Sequence, residues 1–565
     1  MTGVLSGQMG KADNTVRNNG FGVVNTAPSA LVPIRREYSA WVAWPISIGL
    51  VILLCTISSP IFDTNDDVHL SMIAHGYGIA TGGSPLLVYS NVLWGHFIRL
   101  VPEIGGVQGY SLITLGIIVV VGAVVIRSVL ATGIGVIAAI AVLTLVVARA
   151  VLIPQYTANA GLLMVAAVVC WHRFDRQASG GRLALCAGCV LAYCSFLVRA
   201  EAFLLVLGVA LPLMPWRSLW LRRDAKVALI LLVVAIGASS LLDHFAYRGA
   251  EWVAFNRFSA VRGPYNDYGA ADHLKSKPDI LRRYGYSAND VDLIADWFFE
   301  DPKIADPGKL RSILRELGPL AFQAGSLNKG WEGVSELVSS DKLLPIVLAA
   351  ALLAVMRPRW RIFGVWCLCL AALFTLGVMG RPGMTRVYIP LVGLLLLAPF
   401  LDDGEVLLDG SAVRRWTMIV VVLVAAFFNA RTVLDNSRYL QSWSEDVRAG
   451  LAHFPTDGVV VWGGNFPYEA VYPVLGSSPN FRNLHLSLLD DFTLAPYSVA
   501  TAVRTSGHGF LDRFVDEKGV AVVVNDYGAS LLEIYCRDNL HGLFDVVASR
   551  SYGQVWVTTF RCRVN

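Results

Sequence analysis

The sequence predicts a polytopic α-helical membrane protein with about eleven transmembrane helices and a small C-terminal extracytoplasmic α/β domain. Hydrophobic residues make up 55% of the 565 positions, charged residues only 16%, and the mean hydropathy is +0.55. A soluble protein carries about 25% charged residues, so lipid must solvate most of this chain. In addition, Arg and Lys concentrate in alternate loops between the apolar runs, as they do in multi-pass membrane proteins.

The predicted spans are apolar runs close to the length of about 20 residues that crosses a bilayer. Every short loop on one side of the arrangement carries Arg or Lys, for example Arg127, Arg222 and Arg414. The positive-inside rule makes that side cytoplasmic, which puts the N-terminus inside. Because the number of spans is odd, the C-terminus then lies outside. We therefore predict a multi-pass protein of the bacterial inner (plasma) membrane, with spans at about 41–61, 108–126, 130–148, 159–172, 182–198, 202–216, 226–243, 343–357, 362–380, 388–401 and 416–431.

This topology divides the chain into three parts. Residues 1–34 are polar and rich in Gly and Asn, and we predict a disordered cytoplasmic N-terminus there. Residues 35–435 form the transmembrane module, with long external loops at 62–107 and 245–342. Residues 436–565 form the extracytoplasmic α/β domain.

Local patterns predict elements within the two largest external segments. In the second loop, Ser287 and Asp290 are typical of the N-cap of an amphipathic helix over about 289–300. The external compartment is oxidising, so Cys536 and Cys562 are compatible with a disulfide and equally with two free buried thiols. The alternation of apolar residues in the tail predicts strands at 458–462 and 520–525, helices at 467–475 and 529–539, and two final strands ending at Cys562.

The most informative segment follows the first predicted span. Asp66 and Asp67 lie there side by side, ahead of a predicted short surface helix over 71–78. Adjacent carboxylates at the lipid boundary repel each other and are costly to desolvate, so water, a metal, an Arg or a substrate must stabilise them. One interpretation is a solvated loop start that prevents the first helix from sliding inward. The other is a catalytic acid.

The whole arrangement resembles the GT-C superfamily of membrane glycosyltransferases. Members place their catalytic acid on the first external loop directly after span one, carry a long external loop after span seven, and commonly end in an external domain. The triplet Asn65-Asp66-Asp67 also resembles the acidic motif of the mycobacterial-type arabinosyltransferases within that superfamily. The resemblance implies transfer of a sugar from a polyprenyl-phosphate donor to an envelope glycan, glycolipid or protein acceptor, and the acidic triplet favours a pentofuranose such as arabinofuranose.

An inverting transfer of this kind explains why an acid belongs at this position. A carboxylate must take the proton from the acceptor hydroxyl as the sugar is transferred. The leaving polyprenyl phosphate needs a cation, preferably Arg, which holds phosphate oxygens bidentately. We therefore predict Asp66 as the general base. Asp67 is predicted to orient the acceptor or a divalent cation, the one cofactor for which the sequence offers a ligand.

Five basic residues near the external ends of spans are candidates for binding the donor phosphate. Related GT-C sequences often keep a basic residue just before the last core spans, which ranks Arg386 ahead of Arg199. Each also has a structural alternative: an ion pair with a neighbouring acid, snorkelling to lipid phosphates, or a helix cap. The candidates are Arg386, Arg199, Arg381, His244 and Arg149.

The geometry expected from these assignments is specific. Asp66 should lie in an outward-opening cavity and face Arg199, Arg386 or His244 across a gap wide enough for a sugar phosphate. For Arg199, the structural alternative is an ion pair with Glu201 between spans five and six.

Two other classes of function stay open at the level of sequence. A transporter or flippase of polysaccharide or lipid-linked sugars predicts charged or broken helices at the bilayer midplane, whereas the charges here cluster at span ends. A non-catalytic envelope assembly scaffold would tolerate the loss of both Asp66 and Asp67. The net charge of +4 and the lack of a basic stripe argue against a nucleic-acid partner.

Overall fold

The protein is described by a computed structural model that covers residues 38–176, 181–401, 412–476, 481 and 483–564. The N-terminal segment 1–34, predicted to be disordered, lies outside the described residues. The helices from the first span to the second external loop are α1 (Tyr38–Ile57), α2 (Asn65–His75), α3 (Val92–Leu100), α4 (Gly109–Leu130), α5 (Val136–Leu152), α6 (Tyr156–Arg176), α7 (Arg182–Val198), α8 (Ala200–Ala210), α9 (Trp216–Leu221) and α10 (Arg223–Ala246).

The second external loop is also helical. It contains α11 (Ala250–Asn266), α12 (Ala270–Lys275), α13 (Pro278–Tyr284), α14 (Ala288–Ala295), α15 (Pro307–Leu317) and α16 (Ser326–Ser339). The remaining apolar helices are α17 (Leu344–Met356), α18 (Trp360–Val378), α19 (Thr385–Leu401) and α20 (Ala412–Gly450). The tail adds α21 (Tyr468–Val471), α22 (Pro496–Ser506), α23 (Phe510–Val515) and α24 (Asp526–Asp538).

A helix occupies each predicted span. In the described residues, α4, α10, α18 and α20 are long and apolar enough to cross a membrane on their own. The helices α16 and α17 pass the same test together but are bent by 89°. Several other apolar helices, including α5, α7 and α19, are shorter than a full span. The apolar helical bundle is therefore observed, while the number of about eleven crossings stays a prediction.

Two helices form the centre of the bundle. Nearly every residue of α6 and of α19 is buried, which suits segments that are apolar on all sides. They approach closely where Gly161 of α6 lies against Pro390 of α19, leaving no room for a side chain at the glycine. The outer helices α10 and α18 instead expose apolar side chains such as Val234 and Phe363. Lipid can solvate this surface, which water would not.

The helix α20 connects the bundle to the tail. It has 39 residues, which at 1.5 Å per residue gives a length of about 58 Å. The hydrocarbon core of a bilayer is about 30 Å thick, so part of α20 must extend beyond it. The predicted domain boundary at residues 435 and 436 falls inside this helix, and the sheet-bearing part begins after Gly450.

The tail contains one five-stranded sheet, consisting of β1 (Val459–Trp462), β2 (Leu486–Leu489), β3 (Val520–Val523), β4 (Leu543–Tyr552) and β5 (Val555–Arg563). The strand order is β2-β1-β3-β5-β4, with β1 parallel to β2 and β3, and β5 antiparallel to β3 and β4. The predicted strands are confirmed, whereas β2 was not predicted. The helix predicted over 467–475 ends at Val471, because Pro473 disfavours a helical conformation for the residue before it. A disulfide joins Cys536 of α24 to Cys562 of β5, with their Cα atoms 5.6 Å apart.

The second external loop and the tail pack against each other. The ring of Phe298 in the loop stacks on Trp462 of β1 at 5.5 Å, and Asn289 Nδ2 donates to the Leu531 carbonyl at 3.3 Å. The predicted N-cap of α14 is confirmed, with Ser287 and Asp290 forming a capping box. That helix ends at Ala295 and not near residue 300, because Trp297 adopts the left-handed φ of 72°. The second external loop thus helps to hold the tail in place against the rest of the chain.

Candidate active site

The two acids after span one lie in the first turn of α2. This helix begins at Asn65, after the extended Thr64, and ends where Gly76 takes the left-handed φ of 78°. The helix predicted to lie on the surface over 71–78 therefore starts and ends earlier than expected, and its residues 67–74 are buried. Carboxylates in a first turn interact favourably with the partial positive charge of the helix N-terminus. The backbone thus helps to stabilise Asp66 and Asp67 at this position.

Asp66 is in direct contact with Arg386. The Nη1 of Arg386 donates to Asp66 Oδ2 at 2.7 Å, and the two side chains are 26% and 20% exposed. Arg386 lies in the first turn of α19, so the pair joins the two helix N-terminal ends. The structure therefore brings the first-ranked cation to the predicted base. The expected gap between them is closed, because the two opposite charges pair with each other.

Asp67 points into the protein. Its side chain is fully buried, and its Oδ1 accepts from the Tyr110 hydroxyl at 2.8 Å and from the Tyr156 backbone N–H at 3.0 Å. Burial raises the pKa of Asp67 well above its usual value. These contacts do not fit a divalent cation, because the oxygen is occupied and the carboxyl is hidden. Within the described residues, no group of three or more His, Cys, Asp or Glu side chains is arranged to hold a metal ion.

Arg149 pairs with a different acid. Its Nη2 donates to Asp63 Oδ1 at 2.9 Å, and the arginine is buried at the end of α5. The backbone supports this pairing, because the Asp63 N–H donates to the Pro154 carbonyl at 3.0 Å. Arg149 therefore fixes the chain between α1 and α2. It makes no described contact with Asp66.

Arg199 lies at the break between α7 and α8, beside the acid pair. Its Nε pairs with Glu201 at 2.9 Å, so the structural alternative for this residue is present. Its guanidinium also lies 5.0 Å from the Tyr89 ring and donates to the Tyr156 hydroxyl at 3.2 Å. The charges of Arg199 and Asp66 lie close enough to interact. Arg199 is thus a second cation of the same site.

The remaining two candidates contact residues other than Asp66. Arg381 Nη2 donates to Asp267 Oδ1 at 2.8 Å, which ties the loop before α19 to the second external loop. His244 is exposed at the end of α10, with its ring 6.2 Å from that of Phe245. Neither residue has a described contact with Asp66.

The tail contributes two acids that the sequence analysis missed. Asp490 and Asp491 directly follow β2, and the Tyr89 hydroxyl donates to Asp491 Oδ2. Arg262 of α11 donates through Nη2 to the same hydroxyl at 3.3 Å. Burial and then the charge of Asp66 raise the pKa of Asp491 to about 6. The carboxylates of Asp66 and Asp491 are therefore neighbours, although they lie in different parts of the chain.

Asp490 is buried behind Asp491. Its Oδ1 accepts from the Phe492 N–H at 2.7 Å, while its Oδ2 is buried without a hydrogen bond. His69 Nδ1 of α2 lies 3.7 Å from that oxygen. Burial lowers the pKa of His69 to about 3, so its imidazole is neutral at ordinary pH. This contact packs the tail on α2 without an ion pair.

An apolar groove of about 750 Å³ lies elsewhere, between α17 and α20. Leu348, Val424 and Phe428 line it, with Asp341 and Asp435 also in its wall. No residue of the acidic site lines this groove. The candidate site is therefore identified from its charged side chains and not from cavity size.

No protein-family model matches the chain, and no curated protein matches it. Similar solved structures include the apo oligosaccharyltransferase of Archaeoglobus fulgidus, with a TM-score of 0.38 and 12% identity over 89% of this chain and 71% of that chain. ArnT from Cupriavidus metallidurans in the apo state has a TM-score of 0.35 and 14% identity over 92% and 98% of the two chains. The same ArnT bound to undecaprenyl phosphate has a TM-score of 0.32 and 14% identity over 93% and 97%. These similarities are too low to assign a family.

Proposed function

We propose that this protein is a GT-C-type glycosyltransferase. It moves a sugar from a polyprenyl-phosphate donor to an envelope glycan, glycolipid or protein at the outer face of the bacterial inner membrane. The supporting observation is the contact between Asp66 and Arg386, which are 320 positions apart and meet at 2.7 Å. A general base and a phosphate-binding cation are the two groups that such a transfer requires.

Donor binding separates the two residues. In the free protein, Asp66 and Arg386 neutralise each other. A donor phosphate at the N-terminus of α19 competes for the guanidinium, because Arg binds phosphate bidentately and a helix N-terminus favours an anion. Once its cation is engaged elsewhere, the Asp66 carboxylate is free to contact the acceptor hydroxyl. Donor binding thus prepares the base for the acceptor.

The transfer is then one displacement at the anomeric carbon of the donor sugar. Asp66 takes the proton of an acceptor hydroxyl, and the acceptor oxygen forms the new bond to that carbon. The bond from the carbon to the phosphate oxygen breaks, and its electron pair leaves with the polyprenyl phosphate. Arg386 and Arg199 stabilise the charge on the leaving phosphate. This displacement inverts the configuration at the anomeric carbon.

Asp67 acts as a positioning residue in this scheme. It accepts hydrogen bonds from α4 and α6, and so fixes the first turn of α2 that carries Asp66. Arg149 supports the same turn through Asp63. The alternatives of a transporter or an assembly scaffold do not require a base in contact with an arginine.

Orientation and sugar are further parts of the proposal. The N-terminus lies in the cytoplasm and the tail outside, as the loop arginines favour, and a reporter that works only outside the cytoplasm should be active when fused after Asn565. The likeness of Asn65-Asp66-Asp67 to the arabinosyltransferase motif favours a pentofuranose. A donor panel that includes an arabinofuranosyl and several hexosyl undecaprenyl phosphates tests this choice.

The test of the function uses the purified full chain, that donor panel and a bacterial envelope fraction as acceptor. Asp66→Asn preserves the shape of the side chain and removes the base, so release of undecaprenyl phosphate should fall by about 10²–10⁴-fold. The matched control is Asp526→Asn, an exposed acid of the tail at the start of α24. Wild-type activity in Asp66→Asn, or turnover of no donor by the wild type, contradicts the proposal.

A further inference from the structure

Asp491 is held in a rigid turn at the carboxyl end of β2. The backbone N–H of Asp490 donates to Thr493 Oγ1 at 2.7 Å, and that hydroxyl donates to the Asp490 carbonyl at 2.7 Å. The Asp490 carboxylate closes the turn by accepting from the Phe492 N–H. The strand β2 is an edge strand of the sheet, and β1 is its neighbour. The tail therefore presents Asp491 in a fixed position.

The environment of Asp491 leaves one of its oxygens available. Oδ2 accepts from the Tyr89 hydroxyl, which also accepts from the buried Arg262. Oδ1 has no partner among the described residues, and the residue is only partly buried. The Tyr89 ring lies below Arg199, one of the cations of the site. Asp491 thus stands at the same site as Asp66, with an oxygen free to accept a hydrogen bond.

We propose that Asp491 binds a hydroxyl group of the acceptor, so that the tail supplies the acceptor side of the active site. This inference rests on the proposed glycosyltransferase function. The acceptor then lies between two carboxylates. Asp66 takes the proton of the reacting hydroxyl, and Asp491 holds a second hydroxyl of the same molecule.

Charge favours the acceptor over the donor as the partner of Asp491. The donor phosphate needs cations, which Arg386 and Arg199 supply, and a carboxylate beside it would repel it. A carboxylate is instead a strong acceptor for the hydroxyl groups of a sugar. The tail lies beyond the outer part of α20, on the side from which a water-soluble acceptor approaches, whereas the donor lipid stays in the membrane.

The same charges indicate the class of acceptor. Asp66 and Asp491 face this side of the site, and Glu469 of α21 lies close enough to Asp66 for their charges to interact. An acceptor with a carboxylate or phosphate next to its reacting hydroxyl would be repelled. The geometry therefore favours an uncharged polyhydroxyl group, such as a neutral sugar unit of a glycan or glycolipid.

The variant Asp491→Asn tests this inference, because the amide oxygen can still accept from Tyr89 while the charge is lost. Two rates, of transfer and of donor hydrolysis, are measured with the donor that the wild type uses best. Transfer to the envelope acceptor requires both carboxylates, whereas slow hydrolysis of the donor by water requires only the membrane side of the site. Asp526→Asn is the matched control, and Asp491→Glu restores the charge.

Loss of a hydrogen bond to a charged group should lower kcat/KM for the acceptor by about tenfold to hundredfold. Donor hydrolysis should fall far less than transfer does, and Asp491→Glu should recover part of the transfer. If transfer and hydrolysis fall in parallel, Asp491 only supports the fold or the donor, and the inference is wrong. Unchanged transfer in Asp491→Asn also overturns it. If the wild type turns over no donor at all, the proposed function fails and this inference fails with it.

Discussion

The candidate active site contains two pairs of adjacent aspartates, one on the membrane side and one on the tail. In the first turn of α2, Asp67 is buried and bonded to the protein, while Asp66 contacts Arg386. In the turn after β2, Asp490 is buried, while Asp491 contacts the hydroxyl of Tyr89. Each pair thus has one acid that fixes the turn and one that faces the site.

The partners of the two outward acids differ, and this difference indicates what each side binds. An arginine next to Asp66 can be taken over by a phosphate, which is an anion. Asp491 instead contacts the Tyr89 hydroxyl, and the Arg262 guanidinium on that hydroxyl is buried. A neutral hydroxyl is therefore the better ligand there. The membrane side therefore suits the donor phosphate, and the tail side suits the acceptor.

The largest effect expected from this comparison concerns the buried acids. Asp67→Ala leaves the Tyr110 hydroxyl and the Tyr156 N–H without partners, at a cost of about 1–3 kcal/mol for each buried group. Asp490→Ala leaves only the Phe492 N–H unpaired and removes an oxygen that already lacks a partner, so it should cost less. Thermal unfolding of the purified protein, followed by tryptophan fluorescence, compares the two variants.

Asp67→Ala should melt at a clearly lower temperature than Asp490→Ala, and Asp67→Asn should melt close to the wild type. An Asp67→Ala variant that is as stable as the wild type but inactive would show that this acid takes part in the chemistry. The distinction between inward and outward acids would then be wrong for the membrane side.

A smaller effect is expected for the cation of the membrane side. Arg386→Gln removes a charge-assisted contact to phosphate and should weaken binding of undecaprenyl phosphate by about tenfold to hundredfold. Arg381→Gln is the matched control, because Arg381 lies on the preceding loop and pairs with Asp267. Titration of each purified variant with undecaprenyl phosphate gives the dissociation constants. Equal losses in both variants would remove the special role of Arg386.

Hydropathy and loop charge predicted much of the membrane side from the sequence. Asp66 and Arg386 both lie at ends of apolar runs, so the topology alone put them at the same surface. Their direct contact was not predictable, because residues 320 positions apart share no local pattern. The sequence predicted a gap between the two side chains, whereas the structure has an ion pair. Nothing in the sequence indicates that the two residues pair with each other when no phosphate is bound.

The tail side was missed for a local reason. The strand β2, Leu486–Leu489, contains no β-branched residue, whereas the equally short β1 and β3 consist mainly of valine and could be recognised as strands. Without β2, no pattern in the sequence places the acids that follow it at a site. A run of apolar residues ending in Asp490 and Asp491 was the signal available. The place of these acids at the site depends on the contact between Asp491 and Tyr89, which are 402 positions apart.

The central claim is that a donor phosphate takes Arg386 away from Asp66. A structure of the full chain in lipid nanodiscs, determined by electron cryomicroscopy with undecaprenyl phosphate bound, tests this claim most directly. The account predicts phosphate oxygens within hydrogen-bond distance of the Arg386 guanidinium, and an Asp66 carboxylate more than about 4 Å from it, beyond ion-pair contact. A phosphate bound elsewhere, with the 2.7 Å contact between Asp66 and Arg386 intact, would contradict it.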